Sequence, residues 1–219
     1  GARGLLRVSR HARIGLGASM VAGFGLHLLM DYLNSYGLHP FHPIDSRWFY
    51  GDMVFIIEPV FWVTLGLPLV MLIRRAWLRA AMLGLTAAAL VFFSAAGFLH
   101  VGSLLMLLAL ALLLAVLQHR SLAAERGGAP PGLAGMGGLF AGTALLAGFL
   151  VVQFGASKLA ARQIAISLAE MDPRSVLHDS ARTAFPSNPL CWNFVSVESD
   201  EDAGQYRLRR GVLSIAPAL

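Results

Sequence analysis

Five apolar runs dominate the chain: about Ile14 to Leu33, Met53 to Ile73, Ala80 to Phe98, Gly102 to Leu117 and Leu133 to Phe154. A helix needs roughly 20 such residues to cross a bilayer. No other feature narrows the fold as far, because inside lipid every backbone N–H and C=O must be satisfied within its own segment. The expectation is an all-α polytopic membrane protein with about five transmembrane helices. The last run is expected to continue as a helix to Glu170. The bulk composition agrees, at 57% hydrophobic and 13% charged residues with a mean hydropathy of +0.66.

The charges orient these helices. Arg3, Arg7, Arg10 and Arg13 precede the first run, Arg74, Arg75 and Arg79 follow the second, and Arg120 and Arg126 follow the fourth. The alternate connections carry only Arg47, in segment 34–52. Basic residues mark the cytoplasmic side. The reading is therefore a bacterial inner-membrane protein with its N-terminus in the cytoplasm, and with the 34–52 loop and the C-terminal tail outside. All but one of the 17 basic residues are Arg, and many of them flank apolar runs; the net charge of +5 is read as a topology signal, not a nucleic-acid patch. The single cysteine, Cys191, cannot close an internal disulfide.

Two regions follow: residues 1–170 as the membrane domain and 171–219 as an extramembrane tail. Residues 124–132 (AERGGAPPG) read as a linker. In the tail, 193–199 and 205–214 read as a β-hairpin around the acidic turn 200–204. Small residues at Gly15, Ser19 and Gly23, and again at Gly138 and Gly142, are read as close helix-packing faces.

Polar residues interrupt the apolar pattern at one end. His27, Asp31 and Asn34 recur at spacings of four and three, so they share one helix face. Ionisable groups in a span turn to a bundle interior or a wet cavity. Adjacent N and O side chains suit a divalent ion such as zinc or manganese; a His–Asp hydrogen bond that fixes helix packing is the alternative. The 34–52 loop adds His39, His42 and Asp52, and its aromatics argue for an ordered interfacial segment. Glu58 sits in IIEPVFW, two turns into the second predicted helix, where a carboxylate requires a partner. His100 falls at the outer end of the third run. The metalloprotease HExxH, the GxSxG elbow, a CxxC pair and the GxxxxGK[ST] loop do not occur.

The segments HLLMDYLNSYG and GDMVFIIEPVFW resemble the membrane-bound metal-dependent hydrolases of bacterial inner membranes, the LexA-regulated type. The matching positions are His27, Asp31, Asn34, Ser35, Tyr36, Gly37, Pro40, Phe41, Asp52, Phe55, Ile56, Ile57, Pro59 and Phe61, with Glu58 in place of an aspartate. NPLCW in the tail is similar to that family's Asn-Pro-x-x-Trp. The resemblance is strong over residues 23–62. An earlier H-R-G-x-T-H-S-like motif is missing, and with Gly1 as the first residue the expectation is an N-terminally truncated member.

The resemblance implies a metal-dependent hydrolase, and the position of the site at the outer membrane rim suggests an amphiphilic or lipid-linked substrate. His27 and Asp31 would hold the ion, and Asp52 or Glu58 would serve as further ligand or general base. Asn34, His39, His42 and His100 would support the site. The ion would bring the pKa of its water towards neutrality. The alternative is a non-enzymatic membrane protein, transporter-like or an assembly factor, with the His/Asp/Glu set as an ion relay or as packing.

Overall fold

A computed structural model describes residues 9–128, 135–200 and 204–217. They form two compact units, Gly1–Gly51 and Asp52–Leu219.

The first unit holds helix α1 (Arg10–Leu33). Ser9 caps its N-terminus, accepting the Ala12 N–H at 3.2 Å. Nearly all of its large apolar side chains are exposed, which suits a surface made for lipid. No atom comes within 4 Å of a Cβ built at Gly15 or Gly23, so the small-residue stripe meets no neighbour among the described residues.

The second unit is a helical bundle that carries a sheet. Its elements are α2 (Pro59–Met71), α3 (Ala76–Ala95), α4 (Val101–Arg126), α5 (Gly137–Met171), β1 (Ser175–Phe185), β2 (Asn188–Asp200) and β3 (Gln205–Ser214). Together with α1, helices α3, α4 and α5 are long and apolar enough to cross a membrane, four in all among the described residues. The second predicted span, Met53 to Ile73, is the correction. Only Pro59–Met71 is helical, in pieces of three, five and five residues. At 1.5 Å per residue that is about 20 Å, against about 30 Å of hydrocarbon.

The middle piece of α2, Trp62–Gly66, is a π-helical turn. Pro68 explains it. A proline has no N–H for the carbonyl four residues back, here Thr64, so the ladder widens and Leu67 N–H donates to Trp62 O instead. The freed Thr64 carbonyl meets α5 at Gly142, where a Cβ would collide with it. One turn earlier, Gly138 lies against Gln118 of α4. The Gly138–Gly142 face is thus the close-packing face that its spacing predicts.

The bundle core is Val60, Val63, Leu67, Leu90, Leu99, Leu107, Leu114 and Leu146, drawn from α2 to α5 and, with Leu99, from the turn between α3 and α4. At one end of the bundle, Gln118 Nε2 donates to Gly135 O, and its Oε1 accepts the Gly138 N–H at 2.9 Å, satisfying backbone at the start of α5. The fifth run begins as a helix at Gly137; the predicted start at Leu133 and residues 129–132 of the expected linker lie outside the described residues, while 124–126 are not linker but the end of α4, which runs past the predicted end at Leu117 to Arg126. At the other end α5 runs on into the sheet.

The tail holds three antiparallel strands in the order β1-β2-β3, one more than the expected hairpin. The pairing β2–β3 matches the prediction, with Asp200 opposite Gln205; residues 201–203 of the acidic turn lie outside the described residues. The missed strand is β1, whose SVLHDSARTAF is too polar to announce itself. Trp192 and Ala184 pack on Ala156 and Ala160 of α5, which seats the sheet on the second half of the long helix.

Candidate functional site

In the first unit, His27 Nε2 lies 3.5 Å from Asp31 Oδ2, one turn apart on α1, with side chains 71% and 37% exposed. Asn34 turns to other work. Its Nδ2 donates to Met30 O at 3.0 Å and its Oδ1 accepts the Tyr36 N–H at 2.7 Å, so it terminates α1. The chain then folds back through the Leu38–Phe49 bridge. Gly37, at φ 72°, has the Tyr50 ring where a Cβ would stand, which only glycine permits. His39 sits between aromatic rings, 4.2 Å from Trp48 and 5.4 Å from His42 by ring centroids. Asp45 accepts the Arg47 Nε at 2.8 Å. The loop folds back on itself and clusters its aromatic rings, which remain exposed in the structure.

In the second unit, Asp52 and Glu58 are both buried, and both are held by the tail. Glu58 is not two turns into a helix: it is the residue before Pro59, and its Oε1 accepts the Val60 N–H at 3.3 Å as an N-cap. The same oxygen accepts the Ser187 N–H at 3.0 Å and the Ser187 Oγ–H at 2.6 Å, while Oε2 accepts the Ser187 N–H at 3.2 Å. Ser187 is in the β1–β2 turn, after Pro186, at φ 53°. Its own carbonyl accepts from Ser103 Oγ of α4 at 3.3 Å. The turn is therefore pinned to two elements of the bundle by hydrogen bonds that spare a buried carboxylate its full desolvation cost.

Asp52 makes a second tie. Its Oδ2 is 3.3 Å from Arg182 Nη2 of β1, and Arg182 also donates to Ser180 O at 2.7 Å. Asp52 Oδ1 and Arg182 Nε are buried without a hydrogen-bond partner. Burial pushes the Asp52 carboxyl above the ordinary value of 3.8, and the Arg182 guanidinium only partly draws it back. Asp52 also adopts φ 49°, a left-handed conformation that costs a non-glycine residue about 1 kcal/mol or more.

His100 is the N-cap of α4, with its Nδ1 accepting the Gly102 N–H at 3.1 Å. Among the described residues no group of three or more His, Cys, Asp or Glu side chains converges as a metal site. The structure thus pairs His27 with Asp31, and ties Asp52 and Glu58 to Arg182 and Ser187. Those two tail residues escaped the sequence reading. The usable signal was chemical: a buried acid needs a donor, and Ser187 directly precedes the Asn-Pro of NPLCW. Gln153 of α5 was also missed; it is fully buried and neither amide atom has a partner.

Residues 3–101 match the family model described as "YdjM inner membrane protein". No curated protein and no solved structure matches the chain. The match corrects the resemblance drawn from HLLMDYLNSYG and GDMVFIIEPVFW: those motifs fall inside the stretch that the YdjM model covers, and no metal-dependent hydrolase family is matched. With four apolar helices of spanning length beside this match to an inner-membrane family, the chain is a membrane protein.

Proposed function

We propose that this chain is a multi-pass inner-membrane assembly factor, non-enzymatic, with its N-terminus and arginine-rich end in the cytoplasm and its sheet and 34–52 loop outside, an arrangement in which α2, short as it is, makes the fifth pass from the sheet end of the bundle to the arginine end. Its working part is the extramembrane sheet, held stiffly at the mouth of the bundle so that another molecule can engage it. The observation that carries this reading is the grip of Ser187 on Glu58. A carboxylate that accepts two donors from one serine and a backbone cap besides is a latch, and has little capacity left as an ion relay. The Asp52–Arg182 tie supports the same reading from a second strand position.

The test compares Ser187→Ala with Glu58→Gln in membrane vesicles. A latch predicts that Ser187→Ala makes the tail protease-sensitive and lowers the melting temperature, without abolishing any ion flux. A relay predicts ion-dependent uptake that disappears in Glu58→Gln while Ser187→Ala remains stable; that result would sink the assembly reading.

A second reading has its own observation, the free His27–Asp31 pair. An imidazole and a carboxylate one helical turn apart offer two of the ligands that zinc or manganese takes, and a bound ion would supply an activated water for hydrolysis of an amphiphilic or lipid-linked substrate. Metal analysis of purified protein decides it. Stoichiometric metal lost in His27→Ala and in Asp31→Ala supports this reading, and no bound metal removes it.

A further inference from the structure

At the end of the bundle away from the sheet, Met71 at the end of α2, Leu72, Ile73 and Arg74 after it, Arg79 on α3, and Leu122, Glu125 and Arg126 on α4 enclose a cavity of about 400 Å³. Three guanidinium groups face one carboxylate there. Arg79 Nη1 is braced on Ile73 O at 3.4 Å. Arg74 and Arg126 have no ion-pair partner among the described residues. A second cavity of about 250 Å³ runs between α2, α3 and α4, lined by Val63, Leu67, Leu83, Leu90, Leu108, Ala111 and their neighbours, and it is almost wholly apolar. Leu83 follows Arg79 by one turn on α3, and Leu67 precedes Met71 by one turn on α2. At 1.5 Å per residue the apolar groove thus begins about 6 Å from the basic cavity.

We infer that the two cavities form one binding site for an anionic phospholipid of the leaflet on the arginine side, with its phosphate held by Arg74, Arg79 and Arg126 and an acyl chain along the groove between α3 and α4. Guanidinium groups bind phosphate oxygens through paired, charge-assisted N–H donors. Basic pockets between membrane helices on the cytoplasmic side suit such headgroups. The apolar groove selects a lipid over a free phosphate, because a small anion leaves it unfilled. Leu108 and Leu112, 41% and 67% exposed, leave the groove open to the bilayer. The site is separate from the latch at Glu58 and does not depend on it.

The experiment uses the full chain purified in neutral detergent, with melting followed by intrinsic fluorescence and lipid retention by native mass spectrometry. Phosphatidylglycerol should raise the midpoint by about 5 °C and remain bound, while phosphatidylcholine should do neither. Arg74→Gln with Arg126→Gln should lose at least half of that shift while melting normally in phosphatidylcholine. Ala111→Phe fills the groove with the arginines intact and should lose retention of the lipid. Equal effects of the two lipids, or full shifts in either variant, would overturn the proposal. Inorganic phosphate that reproduces the whole shift would also overturn it, by reducing the site to a small-anion pocket.

Discussion

Gly142→Ala is the sharpest test of how the bundle is packed. In an open helix position, exchanging Gly for Ala stabilises by about 1 kcal/mol through propensity. At 142 the new methyl would collide with Thr64 O and stand 2.9 Å from Thr64 C. The obstacle is backbone, so no rotamer change relieves it, and Thr64 is fully buried. The carbonyl is there because Pro68 withdrew its hydrogen-bond donor and opened the π turn. Overpacking of this kind costs about 1–3 kcal/mol. With a backbone obstacle the upper end applies, and after the propensity gain the net loss is about 2 kcal/mol. For a chain of this size that is a fall of about 4–8 °C in melting temperature. The assay is thermal denaturation in detergent by circular dichroism, with Gly148→Ala as the control, since nothing lies within 4 Å of a Cβ at 148. The control should melt at or slightly above the parent. If Gly142→Ala melts as high as Gly148→Ala, the close approach of α2 to α5 is wrong.

Other outcomes follow from the same geometry. Arg182→Met leaves the Asp52 carboxylate buried without its ion pair and should cost about 3 kcal/mol, most of it recovered when Asp52→Asn is added; a double-mutant cycle measures the coupling. Because burial raises the Asp52 pKa in the fold, its contribution is fully present below its unfolded value near 3.8 and is lost as the pH rises through the raised value, so Asp52→Asn should flatten that limb of a stability–pH curve. Gln118→Leu strips partners from the Gly135 carbonyl and the Gly138 N–H and should cost about 2 kcal/mol in the same melting assay. In a Cys191→Ser background, a cysteine at Ser46 should react with an impermeant thiol reagent from outside and one at His119 should not; the reverse pattern would invert the proposed topology.

Residues around the polar end show where sequence reading reached and where it stopped. The α1 register is plain from apolar length and the four-residue spacing of His27 and Asp31, because local geometry alone fixes that pair. Asn34 shares the face but is consumed by the helix terminus, an outcome set by the sharp exit of the chain that spacing does not encode. Glu58 reads as a costly intramembrane charge only while Met53 to Ile73 is taken as one helix. With Pro59 at the first helical position, the acid becomes a cap outside the helix. Its main partner is 129 residues away, beyond any periodicity.

The sequence alone determined that this chain lives in a membrane, roughly where its four long helices lie and which ends carry the arginines. These follow from hydrophobic length and charge, which act segment by segment. Tertiary structure decided that α2 is short and π-turned, that β1 completes the sheet, and that Asp52 and Glu58 belong to the tail. Those features depend on contacts between segments far apart in the chain, where a buried acid is neutralised only by the donor that folding happens to bring to it.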